Sequence, residues 1–246
     1  ITVNVWANSH KGLVRATNQD TFLIDTDFET ETAVMAVCDG MGGANAGNVA
    51  SKFAADAFLE AVRRSLKPEM GQQELRETLT YAVTEANAQV FELSKKQEEF
   101  KGMGTTIVGA LYHKGNIALI NVGDSRGYLL HGGAMQQITL DHSFVEEMVR
   151  KGKLTREEAK THPVKNLITR AVGIERVVDS DVFDVPMEEG DTLLLCSDGL
   201  TGMVPDDEIL EIILQADNLE EACRTLIDRA CDSGGRDNIT VLLFSK

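Results

Sequence analysis

Residues 32–43 run Thr-Ala-Val-Met-Ala-Val-Cys-Asp-Gly-Met-Gly-Gly, TAVMAVCDGMGG, and their character decides the fold. Ala33 to Cys38 is apolar without a break. An alternating pattern would mark a sheet with one wet face, whereas a continuous run marks a strand covered on both. The run stops at Asp39, and glycine fills positions 40, 42 and 43. The stretch therefore predicts a buried strand over Thr32–Cys38, then a turn. A carboxylate at such a turn either fastens its own backbone or holds something else.

Working outward, further strands are predicted at Thr2–Trp6 and Thr21–Asp25. Two long amphipathic helices follow. Ala46–Leu66 places Val49, Phe53, Ala57 and Ala61 on one face; Glu74–Ser94 does the same with Leu75, Leu79, Ala82, Ala86, Val90 and Leu93. A meander comes next, Thr105–Tyr112, Ile117–Val122 and Gly127–Leu130, whose short glycine-containing connections imply antiparallel neighbours. Asp141 to about Gly173 is polar and helix-leaning, a lobe lying on the domain. Strands resume at Val182–Val185, Thr192–Cys196 and Ile239–Phe244. Between the last two, Pro205 opens a short helix, and Asn218 with Glu221 resembles a capping box. Strands arrive in runs with helices in pairs between them, which is α+β rather than an alternating βαβ fold. With no repeat and no linker, one domain over residues 1–246 is expected.

Composition excludes several classes. The chain has 246 residues, 43% hydrophobic and 26% charged, enough for a sizeable core. Its net charge of −15 repels nucleic acid and anionic membranes. No apolar stretch approaches the ~20 residues that span a bilayer. Cys38, Cys196, Cys223 and Cys231 are scattered and form no Cys-x-x-Cys pair, so neither a disulfide framework nor a zinc site is expected. With no visible signal peptide, the expected location is cytoplasmic.

Five aspartates share one kind of place. Asp20 precedes a predicted strand, Asp39 ends one, Asp124 and Asp198 follow strands, and Asp237 precedes the last. Converging carboxylates repel unless a cation compensates, and an all-oxygen set suits a hard ion such as Mg²⁺ or Mn²⁺. Glycine beside an aspartate bares a carbonyl as a further oxygen ligand. Arg15, five residues before Asp20, has the planar fork that grips phosphate.

Arg15-Ala-Thr-Asn-Gln-Asp20, Asp39-Gly-Met-Gly-Gly43, Gly104-Thr-Thr106, Gly123-Asp-Ser-Arg126, Ser197-Asp-Gly-Leu200 and Asp237-Asn238 occur in this order. Through them the chain resembles, over essentially its whole length, the metal-dependent Ser/Thr protein phosphatases of the type 2C (PPM) family, in its bacterial branch. The resemblance implies a central β-sandwich of two antiparallel sheets flanked by pairs of helices, with a flap over about 141–173. It implies two core ions, Mn²⁺ or Mg²⁺, and a third, weaker one. Asp39 would bridge the core pair, the Gly40 carbonyl would bind one ion, and Asp198 and Asp237 the other. Asp20 would act through metal-bound water, Asp124 with Asp198 would hold the third ion, and Arg15 would grip the phosphate. A hydroxide bridging the metals would attack phosphoserine or phosphothreonine in line. The partners implied are phosphorylated proteins and a cognate Ser/Thr kinase, with the chain a monomer. Many eukaryotic members carry a histidine after the Asp-Gly pair as the acid for the leaving group. Met41 stands here, which leaves that role to a metal-bound water or to a flap histidine, His142 or His162.

Competing motifs are weaker. Asp25-Thr-Asp-Phe-Glu29 lacks the Thr or Val that a haloacid-dehalogenase-type phosphatase needs at its last position, and Thr30 fails the turn glycine of a calcium loop. Cys223 to Arg229 has the Cys-x₅-Arg spacing of cysteine phosphatases but sits in a helical pattern without glycine. A non-catalytic phosphoprotein-binding member of the same fold is the alternative of a different class; its mark would be a lost metal aspartate, and all five are kept.

Overall fold

The computed structural model describes residues 3–43 and 46–246. Two antiparallel sheets form the centre. In the first, strands lie in the order β1 (Asn4–His10), β11 (Ile239–Ser245), β10 (Thr192–Cys196), β7 (Arg126–His131), β8 (Ala134–Gln137). The second runs β2 (Asp20–Asp27), β3 (Thr32–Met41), β5 (Ile107–His113), β6 (Asn116–Val122), β9 (Asp181–Asp184), with β4 (Gly104–Thr105) beside the end of β3. The helices are α1 (Ala46–Ser65), α2 (Gln72–Lys96), α3 (Phe144–Arg150), α4 (Arg156–Thr161), α5 (Asp198–Thr201), α6 (Asp206–Gln215) and α7 (Leu219–Asp232).

The unbroken apolar run of β3 is explained by the layers. Ala33, Met35 and Val37 point between the sheets and pack with Leu195, Leu242 and Phe244. Val34, Ala36 and Cys38 point the other way, under α1 and α2, beside Phe58, Leu79 and Val90. A third cluster joins Leu194 and Leu243 on the far face of the first sheet to Leu200, Leu226 and Ile227 of α5 and α7. The order is helices, sheet, sheet, helices: the α+β sandwich expected. Fully burying one such side chain contributes about 1.5–3 kcal/mol before conformational entropy is subtracted.

The structure corrects several details. The first strand covers Asn4–His10 rather than Thr2–Trp6; Thr2 lies outside the described residues. On α1 the buried side chains are Ala50, Ala54, Ala57, Phe58, Ala61 and Val62, whereas Phe53 is exposed. Of the predicted face, Ala57 and Ala61 are buried and Val49 packs against the core at its edge; Phe53 alone is displaced, with Phe58 buried instead. Strand β3 does not stop at Cys38. Pairing of Gly40 with Thr105 and of Met41 with Gly104 carries it to Met41, so Asp39 sits inside the ladder, not in a turn beyond it. Strand β8 was not foreseen. The half-capping at Asn218 is real, its Oδ1 accepting from the Glu221 amide at 2.9 Å, but the Glu221 carboxylate reaches the amide of Asp217 instead of Asn218. Asp25, Thr26 and Asp27 are the last residues of β2 and Phe28 and Glu29 open the hairpin turn after it, with Asp27 Oδ1 accepting from the Glu29 amide at 2.9 Å. Cys223 is buried within α7.

Candidate active site

The register of β2 on β3 sets Asp20 directly opposite Asp39. Two carboxylates facing across an antiparallel pair repel, and a folded protein keeps such a pair only where something offsets it. Asp39 is held by its own backbone. Its amide donates to Thr106 Oγ1 at 2.9 Å, and its carbonyl accepts from the Thr106 amide and from Thr105 Oγ1, both at 2.9 Å. The Gly104-Thr-Thr106 motif is therefore the scaffold that fixes Asp39.

Gly40 and Gly199 permit close approaches. A Cβ on Gly40 would lie 2.0 Å from the Gly47 carbonyl oxygen, and one on Gly199 1.9 Å from that of Asn238. The first lets the start of α1 close over the end of β3. The second presses Asp198, first residue of α5, against the Asp237-Asn238 pair before β11. Asn238 also ties down the Arg15 loop: its Nδ2 donates to the carbonyls of Lys11 and Thr17 at 2.8 and 2.9 Å, and its Oδ1 accepts from the Gln19 amide at 2.8 Å.

These contacts gather Asp39, Gly40, Asp124, Asp198, Asp237 and Arg15 on one pocket of about 270 Å³, with Met41 at its wall and Asn166 and Ile168 reaching in from the flap. Asp20 does not line it. It lies buried beneath, where its Oδ2 accepts from Ser197 Oγ at 2.8 Å and Thr240 Oγ1 at 2.7 Å. Arg15, half-exposed at the rim, donates to Asp237 Oδ2 at 2.8 Å. The second cleft, about 710 Å³ between the flap and the start of α6, meets this pocket at Asp124, Asn166 and Asp198.

Electrostatics follow from the crowding. Burial pushes Asp20 up to about 7 against the pull of its two hydroxyl donors, with Asp198 and Asp237 adding repulsion. Burial likewise raises Asp39 well above the usual carboxylate range, reinforced by Asp20, Asp198, Asp124 and Asp237. Asp124 rises to about 8 through burial and then Asp198 and Asp141. Asp198 is raised by burial and by Asp237. Hydrogen bonding to Asp237 raises Arg15.

Neither flap histidine meets the pocket. His142 is buried, with Nε2 2.9 Å from Asp181 Oδ2 and Nδ1 accepting from the Gly123 amide at 3.0 Å; burial lowers its pKa. His162 caps the end of α4 and stacks near Phe144. Among the described residues, the pocket lining contains no His, Lys or Tyr.

A sequence profile of the family described as Protein phosphatase 2C matches residues 9–233. The chain belongs to the protein phosphatase 2C family. It is 40% identical over 236 residues to the serine/threonine phosphatase stp of Listeria welshimeri, covering 96% of this chain and 93% of that one. Its fold superposes on the serine/threonine phosphatase Stp1 of Staphylococcus aureus with a TM-score of 0.90 at 35% identity, covering 100% and 96% of the two chains. It also superposes, with a TM-score of 0.83 at 35% identity over 99% and 97%, on the catalytic domain of the phosphatase PstP in complex with 2 manganese ions. As a phosphatase 2C member it is a metal-dependent protein phosphatase rather than a binding protein that has kept the fold and lost the chemistry.

The residues present fit the ions the family uses. Every candidate donor is oxygen, the set that hard dications prefer. Asp20 Oδ1 and Asp198 Oδ1 are buried with no hydrogen-bond partner, a condition that costs about 1–3 kcal/mol for each unsatisfied atom. Among the described residues no three His, Cys, Asp or Glu side chains converge tightly enough to hold an ion between them.

Sequence reasoning missed the hydroxyls of Ser197 and Thr240, which orient Asp20, and Asn166 and Ile168 on the flap side. Ser197 adjoins a motif aspartate, so proximity could have flagged it. Thr240 lies within an apolar strand and offered no such signal.

Proposed function

We propose that this chain hydrolyses phosphoserine and phosphothreonine esters on proteins, with Mn²⁺ or Mg²⁺ held by Asp39, the Gly40 carbonyl, Asp198 and Asp237. The supporting observation is the convergence of these groups with Arg15 on one small pocket over a directly opposed carboxylate pair. Two bound dications would supply Lewis acidity toward phosphoryl oxygens and lower the pKa of water toward neutrality. Asp39, opposite Asp20 across the ladder and on one pocket with Asp198 and Asp124, would be the central carboxylate of that set. Asp20, fixed by Ser197 and Thr240 below the floor, would reach the ions through water. Asp124, with Asp198, would hold a third, weaker ion at the mouth of the flap cleft. The Arg15 guanidinium keeps one N–H on Asp237 and has others for the phosphate, aligning the ester and offsetting charge on its oxygens. Met41 has no proton to give, His142 is buried and engaged, and neither it nor His162 lines the pocket, so the leaving alkoxide would take its proton from water.

Residues 1–246 would form one phosphatase domain with its flap over about 141–173, a monomer acting in the cytoplasm opposite a Ser/Thr kinase. Its four free thiols and its net charge of −15 agree with that setting, and among the described residues no helix is long and apolar enough to cross a membrane. The test is phosphate release from matched phosphothreonine, phosphoserine and phosphotyrosine peptides in Mn²⁺. The first two should be hydrolysed and the third much more slowly. Preference for phosphotyrosine, or equal turnover by Asp39→Asn, would refute the assignment.

A further inference from the structure

The buried histidine of the flap base touches no reacting group, yet its ring is fully committed. Its Nδ1 accepts from the Gly123 amide at 3.0 Å, so Nδ1 carries no proton and the single proton of the neutral ring is on Nε2. That proton faces Asp181 Oδ2 at 2.9 Å, and Arg170 Nη1, 3.2 Å from Nε2, donates to the other oxygen of Asp181 at 3.1 Å. Asp181, at the start of β9, thereby selects the tautomer that can accept from Gly123.

Gly123 is the residue on which Asp124 turns into the pocket. It has φ +111°, and a Cβ there would lie 2.6 Å from Thr106 Cγ2, so its geometry belongs to glycine. Its carbonyl accepts from the His142 amide at 2.9 Å and from Asn121 Nδ2 at 3.2 Å. His142 thus holds both polar ends of the Gly123 backbone. Its own carbonyl accepts from the Thr169 amide at 2.8 Å, and Ser143 bridges to Ile168, a wall of the pocket. Through its ring on the Gly123 amide and its backbone on Gly123 and Thr169, His142 joins the turn that aims Asp124 to the flap segment that faces it.

We infer that His142 is a positioning residue for Asp124: through Asp181, its ring offers a fixed acceptor to the Gly123 amide and so sets the peripheral carboxylate against Asp198. This rests on the proposal above that Asp124 and Asp198 hold the third, weakest ion. The role is specific to one ring atom. In His142→Asn the amide oxygen occupies about the place of Nδ1 and keeps the Gly123 contact while losing Asp181. In His142→Gln the amide lies at the place of Nε2 and keeps Asp181 while losing Gly123. Asp181→Ala frees the ring proton from its partner without touching Gly123.

The experiment is Mn²⁺ binding to metal-stripped protein, read by calorimetry and by electron paramagnetic resonance of the free ion, for wild type, His142→Asn, His142→Gln, Asp181→Ala and Asp124→Ala. The two tighter ions should bind each variant as they bind wild type. For the weakest ion, His142→Gln should raise the dissociation constant about tenfold, the low end of what loss of an outer hydrogen-bond partner does to a metal site, and His142→Asn should stay near wild type. Asp181→Ala should fall between them, and it reports on the relay even where His142→Gln folds poorly. Equal weakening in His142→Asn and His142→Gln, or none in either, overturns the inference. Should Asp124→Ala still take up three ions, the assignment of Asp124 itself fails. If Asp124→Ala loses one ion while His142→Gln and Asp181→Ala keep wild-type affinity for it, only the role of His142 fails.

Discussion

Asp39 concentrates the chemistry of the molecule in one carboxylate. It faces Asp20 across the ladder, its backbone is gripped by Thr105 and Thr106, and its side chain lies on the pocket wall with Asp124, Asp198 and Asp237. Asp39→Asn keeps the shape and the ladder while removing the shared charge. Turnover should drop by more than about 100-fold, beyond the effect of losing an outer partner of a metal site, with the fold intact by circular dichroism. Arg15 is different in kind. It is half-exposed, its Asp237 bridge is a surface one worth little to stability, and under the proposed function its spare N–H groups would take the phosphate. Arg15→Ala should chiefly raise KM for a phosphopeptide and leave the melting temperature nearly unchanged; steady-state kinetics separate this from a loss confined to kcat, which would place Arg15 on the transition state alone.

At the scale of elements, the site exists because two glycines let neighbouring segments touch. Gly199→Ala puts a methyl group into the Asn238 carbonyl 1.9 Å away. Forcing α5 off β11 should lower stability by about 1–3 kcal/mol and weaken Mn²⁺ binding at once, since Asp198 and Asp237 move apart; denaturant melts and calorimetry on the same protein check both. Phe244, fully buried between the sheets with its ring 5.3 Å from that of Tyr112, is a control away from the pocket. Phe244→Ala should destabilise by about 3–5 kcal/mol and leave metal affinity in the surviving folded protein unchanged. These elements show what could be read from the chain alone. The unbroken apolar run of β3 announced a strand covered on both faces, because period-2 side chains must satisfy two apolar layers. The aspartates were visible because glycine flanks three of them. The continuation of β3 to Met41 was not visible, since the two-residue partner β4 comes from a segment sixty residues on. On α1, Ala57 and Ala61 were placed rightly but Phe53 was not, because the helix's many alanines give little hydrophobic contrast to choose between Phe53 and the buried Phe58. Ser197 and Thr240 converge on Asp20 only through the β10–β11 register, a long-range fact that no local pattern encodes.

For the whole molecule, the pocket makes stability depend on both pH and metal. Asp20, at about 7, Asp124, at about 8, and Asp39 and Asp198 all titrate above the unfolded value of about 3.9. A group with a raised folded pKa holds its proton more tightly in the native state. Its stabilising contribution is fully present below about pH 4 and is lost as pH rises through the folded value. The metal-free protein should therefore lose stability from this cluster between mildly acidic pH and about pH 8. Mn²⁺ should raise the melting temperature more at pH 8 than at pH 5.5, by binding the folded chain in preference to the unfolded one. Metal uptake near pH 7 should also release protons, measurable by calorimetry in buffers of different ionisation enthalpy. Uptake without proton release would mean that the carboxylates are already ionised and far less crowded than their placement implies. The central claim is that this pocket hydrolyses phosphoserine and phosphothreonine only when its carboxylates hold dications. The most direct measurement is phosphate release from a phosphothreonine peptide by protein exhaustively stripped with EDTA, before and after Mn²⁺ is returned. No release before and full recovery after is the predicted result; undiminished release from the stripped protein would contradict it.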